Sequence, residues 1–109
     1  MIAWYDIGAL DEVAPLAARK VRIGDKQIAV FRTADDQVFA VENKCPHRGG
    51  PLADGIVHGH KVTCPLHNWV IDLKTGEATG ADEGCAHAFA IEVVGGRIRL
   101  GLPAAVAAE

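Results

Sequence analysis

The chain has 109 residues, half of them hydrophobic and 23% charged, with 11 Lys and Arg against 14 Asp and Glu for a formal charge of −3. That composition belongs to a globular chain of one domain's length, and it excludes the basic, aromatic-interleaved stripes of nucleic-acid binders. No apolar run approaches the roughly 20 residues of a membrane-spanning helix, and "MIAWYDIGALDEVAP" has neither a secretory pattern nor a twin-arginine pair, so a soluble, cytoplasmic protein is expected.

Apolar alternation with period two recurs along the chain and helical periodicity is scarce, which predicts an all-β fold. Trp4, Tyr5 and Ile7 make the first strand. The next stretch, "LDEVAPLAA" at residues 10–18, could hold a short helix, but Pro15 interrupts it and a connecting loop is expected. A hairpin over residues 19–32 turns at Gly24 and Asp25, and a strand over residues 37–42 follows the polar turn "TADDQ".

Between Glu42 and Trp69 the texture changes to Gly- and Pro-rich loops around one strand-like patch at residues 61–63. This pattern predicts a small lobe at about residues 43–70, inserted between the strands of a larger sheet. Residues 69–73 form another strand, closed by the "KTGE" turn at residues 74–77. Farther on, Ile91 and Val93 alternate with Glu92, Gly95 and Gly96 follow, and Ile98 and Leu100 alternate with Arg97 and Arg99. Two glycines between alternating strands signal a tight hairpin, because its primed turn needs positive φ. The closing "GLPAAVAAE" shows no strand logic and is expected to be a docked or frayed tail. No internal repeat divides the chain, so residues 1–109 are read as one domain.

The chemistry concentrates in "KCPHRGGPLADGIVHGHKVTCPLHNW" at residues 44–69, where Cys45 and His47 form one cluster and Cys64 and His67 another. Three chemistries compete for these residues. Zinc could take two thiolates and two imidazoles, but zinc modules usually set both cysteines of a knuckle in one loop, whereas here each loop carries one Cys and one His. A histidine-assisted thiol nucleophile at Cys45 or Cys64 leaves one pair unexplained. A binuclear centre suits the mixed pairing better: each loop sends its sulfur to one iron and its imidazole to the other, as in a Rieske [2Fe–2S] centre. Three cysteines in all form an odd count, which argues for metal or redox chemistry over a disulfide framework.

The segments C-P-H-R-G at residues 45–49 and C-P-L-H at residues 64–67 match the C-x-H…C-x-x-H motif, and the chain resembles Rieske-type [2Fe–2S] ferredoxin domains. The resemblance implies an antiparallel β-sandwich with a small inserted cluster-binding lobe, Cys45 and Cys64 on the buried iron, and His47 and His67 on the outer one. Two ferric ions, two sulfides and two thiolates sum to zero charge, where four thiolates would leave −2. Adding an electron therefore costs less, and potentials lie at roughly −150 to +300 mV against about −400 mV for plant-type ferredoxins. High-potential members of the family carry a disulfide between the ligand loops and two hydroxyl donors to sulfur. At the matching positions stand Gly50, Leu66, Trp69 and Ile71, which predicts the low-potential end.

Several other residues invite a role. Gly49 and Gly50 could bring backbone N–H groups to sulfide or simply form a turn, and Arg48 could raise the potential, meet an acidic partner or stay solvated. His58 and His60 flank Gly59 in what resembles a hairpin tip, with no third ligand near in sequence. His87 is read as structural, Trp69 as packing beside the ligand loop, and Cys85 as a buried thiol or a residue of a loop over the cluster.

Downstream, "CPLHNWVIDLKTGEATGADEGCAHAFAIEVVGGRIRL" at residues 64–100 is similar to the small subunits of assimilatory NAD(P)H nitrite reductases, chiefly in the "CPLHNWVIDL…TGEA" run and "GADEGC". That resemblance implies a large partner subunit bearing FAD, a [4Fe–4S] cluster and siroheme, and a relay of electrons toward nitrite. The alternative is a stand-alone Rieske ferredoxin serving a ring-hydroxylating dioxygenase.

Overall fold

The computed structural model describes residues 2–24, 26–43, 52–64, 69–79, 84 and 86–103. They form strands β1 (Ile2–Ala9), β2 (Ala18–Ile23), β3 (Lys26–Arg32), β4 (Val38–Glu42), β5 (Ile56–His58), β6 (Lys61–Thr63), β7 (Val70–Asp72), β8 (Ala88–Val94) and β9 (Arg97–Pro103). Among the described residues there is no α-helix, and only Leu10–Glu12 and Leu52–Asp54 make short 3-10 turns. The fold is all-β and antiparallel, as the alternation predicts.

Two sheets result, a six-stranded one ordered β1-β9-β8-β4-β3-β2 and a three-stranded one ordered β5-β6-β7, inserted between β4 and β8. The larger sheet is continuous through only two paired positions between β4 and β8, Ala40 with Phe89 and Val41 with Ala88. There it bends into two halves, which close over a shared core of Ile28, Val30, Ala40, Ile98, Leu100 and Leu102, flanked by Tyr5 and Ile7 from β1 and Val21 and Ile23 from β2.

Strand β3 faces two cores at once. Ile28 and Val30 point into the sandwich, while Ala29 and Phe31 point the other way, into a second cluster with Leu52, Val57, Val62, Cys64, Ile71 and Leu73. All four β3 residues are fully buried. This double burial is why "IAVF" is a continuous apolar run and not an alternating one.

The 19–32 hairpin forms as expected, with Ile23 opposite Lys26 and Gly24 at φ 62°. The Gly95-Gly96 hairpin does too, with both glycines at positive φ. The stretch after β1 is a connection with a single 3-10 turn, not a helix. Arg32 pins it, donating to the Val13 carbonyl at 2.8 Å and the Leu10 carbonyl at 3.3 Å while pairing with Asp36.

One expectation is overturned. Gly101, Leu102 and Pro103 are not tail but the end of β9, in register with Trp4, Ala3 and Ile2 of β1. Leu102 continues the alternation of Ile98 and Leu100 and is fully buried; a Gly and a Pro flanking it hide the pattern in the sequence. Residues 104–109 lie outside the described residues.

Candidate metal centre

The three-stranded sheet positions the second ligand loop. Its inner row, Val57, Val62 and Ile71, is paired across the three strands and buried against β3 and β4. The outer row, Ile56, Thr63 and Val70, faces away and leaves Ile56 70% exposed. Cys64 follows Thr63 directly, Trp69 precedes Val70 directly, and the second ligand loop thus joins two neighbouring strands at one end of this sheet.

Cys64 is fully buried, in the apolar cluster with Leu52, Val62 and Ile71. Its backbone N–H donates to the Trp69 carbonyl at 2.7 Å, which closes the loop from 64 to 69 at its root. Trp69 is half-buried against the same cluster, in keeping with the packing role read for it. Ile71 is fully buried in that cluster, so the side chain at one family hydroxyl position is a core residue here.

The first loop is closed in a similar way. Asn43, just past β4, donates its N–H to the Gln27 carbonyl at 2.8 Å and accepts the Ala53 N–H on its side-chain Oδ1 at 2.8 Å. Leu52 beside it is fully buried next to Cys64's cluster neighbours. Gly55 lets the chain leaving this loop press against β6: a Cβ there would lie 2.3 Å from the Thr63 carbonyl oxygen and 3.1 Å from that of Leu52. The two loops therefore spring from adjoining roots.

Cys45, His47 and His67 lie outside the described residues, as do Arg48, Gly49, Gly50, Leu66 and Cys85. Of the four ligand candidates the structure places Cys64 alone. The remaining histidines are engaged elsewhere. His58 Nε2 is 2.7 Å from Thr63 Oγ1, and His60 Nε2 is 3.0 Å from Asp35, with Phe39 packed at 5.3 Å from its ring. His87 stacks tilted on Phe89 at 4.7 Å, and its carbonyl accepts the Glu42 N–H at 2.7 Å, a structural position. Asn43 is the residue that sequence reasoning passed over. Its signal was a short polar side chain at the mouth of a Gly/Pro-rich loop, but nothing in the sequence names Ala53 as its partner.

Electrostatically, Asp35 is held below the usual carboxylate range, first by the Thr33 hydroxyl and then by His60. Asp6 is lowered first by its hydrogen bond with Arg97, whose own pKa is raised by the same contact. Both pairs are exposed.

A family model for the Rieske [2Fe–2S] domain matches residues 3–97. The chain belongs to the Rieske [2Fe–2S] family. Family membership carries with it a Rieske-type [2Fe–2S] cluster, and the donor chemistry fits: a fully buried thiol at a loop root, in a chain that supplies a second Cys and two His in the family spacing. Among curated Rieske relatives, the anthranilate 1,2-dioxygenase ferredoxin subunit of Burkholderia cepacia is 40% identical over 73 residues, 67% of each chain. The 4beta-methylsterol monooxygenase of Methylococcus capsulatus is 38% identical over 69 residues, 63% of this chain but only 19% of that much longer enzyme. A solved structure assigned as an NADH-dependent nitrite reductase small subunit from Mycobacterium tuberculosis superposes with a TM-score of 0.86 at 26% identity, covering 94% of this chain and 97% of that one. This chain is thus a Rieske electron-transfer domain of the kind associated with oxidoreductases. Among its described residues no helix is long and apolar enough to cross a membrane.

Proposed function

We propose that Cys45 and Cys64 hold one iron, and His47 and His67 the other, of the Rieske-type cluster. The domain spans residues 1–109, with its ligand lobe at about residues 43–70. In this reading the chain is the electron-transfer small subunit of a cytoplasmic assimilatory NAD(P)H-dependent nitrite reductase, which takes nitrite to ammonium. The partner is a large subunit bearing FAD, a [4Fe–4S] cluster and siroheme.

The observation that carries the ligand assignment is Cys64, fully buried at a loop root that adjoins the root of the loop bearing Cys45 and His47. When bound, a cluster of this type supplies one-electron redox chemistry. The chain's own contribution is to keep the Cys64 thiolate dry. A thiolate bound to iron would suit that buried, apolar position. As neutral ligands of the second iron, the imidazoles of His47 and His67 would leave the oxidised centre uncharged. Trp69 and Ile71 carry no hydroxyl, so the two hydroxyl–sulfur bonds of high-potential members cannot form from these side chains, which favours the low end of the Rieske range.

The near full-length likeness to the Mycobacterium tuberculosis small subunit, together with the resemblance at residues 64–100, supports the nitrite reductase reading. The 40% identity to a dioxygenase ferredoxin favours the second reading, a diffusible carrier serving a ring-hydroxylating oxygenase. One reconstitution separates them. The wild-type chain or Cys64→Ser is added to the purified large subunit, and NAD(P)H-dependent nitrite reduction is followed. A rate that falls in the variant supports the relay, and an unchanged rate leaves at most a structural role. Failure to co-purify with the large subunit, with reduction of a dioxygenase oxygenase instead, establishes the second reading.

A further inference from the structure

We infer that Asn43 is a positioning residue for the first ligand loop, holding Cys45 and His47 through a single side-chain hydrogen bond. The inference rests on the ligand assignment proposed above. Residue 43 is the last one tied to the main sheet: its N–H donates to the Gln27 carbonyl at 2.8 Å, one step beyond the pairing of Ile28 with Glu42. Its Oδ1 reaches across the mouth of the loop to the Ala53 N–H, also at 2.8 Å. The bond thus joins the scaffold to the first turn of the lobe, ten residues along the chain. Cys45 stands two residues from one end of this clasp.

The second loop is closed by the equivalent bond, Cys64 N–H to the Trp69 carbonyl, but between two backbone groups. No side-chain substitution deletes that bond. The clasp on the first loop hangs on one replaceable oxygen. Removing it strands the part-buried Ala53 N–H; among the described residues, the burial of Leu52 and the exposed pair of Lys20 and Asp54 at 3.4 Å still tie this turn to its surroundings. A ligand loop with a loose root presents its sulfur and imidazole over a wider range of positions, and this lowers the retention of iron without a need to unfold the sheets.

The test uses the full chain loaded with iron and sulfide. Iron release to a colorimetric chelator, the visible and EPR spectra, and the midpoint potential are compared for wild type, Asn43→Ala, Asn43→Asp and Asp54→Asn. Asn43→Ala should release iron about threefold to tenfold faster, as loss of one such bond predicts. Its spectrum and potential should shift as well. Asn43→Asp keeps an acceptor oxygen toward Ala53 and should stay within about twofold of wild type, as should Asp54→Asn. Wild-type behaviour of Asn43→Ala, or equal loss in Asn43→Asp, overturns the inference. Should Asn43→Ala not fold, hydrogen exchange in the wild-type protein decides: a protected Ala53 amide supports the clasp, and one exchanging at the open-chain rate overturns it. Cys45→Ser is prepared alongside. If that variant loads with an unaltered spectrum, the ligand assignment fails on its own account, whatever Asn43 does.

Discussion

The imidazole of His60 and the carboxylate of Asp35 meet at 3.0 Å, joining the tip of the β5–β6 hairpin to the turn between β3 and β4. The Leu73 N–H donates to the His60 carbonyl at 2.9 Å from the other side, so this one residue ties the inserted sheet both to itself and to the larger sheet. Asp35 is steadied further by the Thr33 hydroxyl, and Thr33 is fully buried.

Acid should loosen this junction. The Thr33 hydroxyl and then His60 hold Asp35 below the usual carboxylate range, and Arg97 does the same for Asp6 between β1 and β9. A depressed folded pKa contributes stability that is present above the unfolded value and is lost as pH falls through the folded one. The window therefore lies below about pH 4. The Tm of the wild-type protein should fall as pH drops below about 4, and the Asp35→Asn/Asp6→Asn double variant should show a shallower slope there. An identical slope in thermal melts would place the acid sensitivity elsewhere.

Removing the buried thiol should abolish the centre. Cys64→Ser should express folded, because the fully buried site keeps its volume, but lose the broad visible bands of a Rieske centre. An absorption spectrum and iron analysis of the as-isolated protein check this. A variant that retained the bands would exclude Cys64 as a ligand, and a colourless wild-type protein with stoichiometric zinc would exclude the cluster.

The end of β9 should be worth much more than a tail. Leu102 is fully buried in the sandwich core and its neighbours pair with β1, so Leu102→Ala should cost about 2–4 kcal/mol in urea unfolding. A loss below about 0.5 kcal/mol would mean that the last pairs of β1 and β9 contribute little.

Two glycines should respond differently to the same methyl group. At Gly95, φ is 57° and a Cβ would find nothing within 4 Å, so Gly95→Ala should cost only the left-handed penalty of about 1 kcal/mol. At Gly55 the Cβ would meet the Thr63 carbonyl oxygen at 2.3 Å and Val62 Cγ2 at 2.9 Å, both on β6. Gly55→Ala should cost about 1–3 kcal/mol and, unlike Gly95→Ala, should also speed iron release, because it pushes apart the roots of the two ligand loops. Equal iron retention in the two variants would uncouple those roots from the centre.

The amino-acid sequence by itself determined the strand-rich class, the glycine hairpins and the insert between β4 and β8, and it carries the Cys and His spacing from which the ligand assignment is proposed. These properties are local: a period-two pattern, a pair of glycines or a C-x-H spacing is complete within a few residues. What only the tertiary structure decided depends on partners distant in the chain. Leu102 belongs to a strand because β1, at the opposite end of the chain, supplies its hydrogen bonds. The "IAVF" run is apolar throughout because β3 lies between two cores, one of which is built by the inserted sheet. Asn43 gained its meaning from Ala53, and His60 from Asp35, contacts that no periodicity encodes. Burial and hydrogen-bond closure are properties of the assembled sheets, and they tie down Cys64 and the residues flanking the two candidate ligand loops.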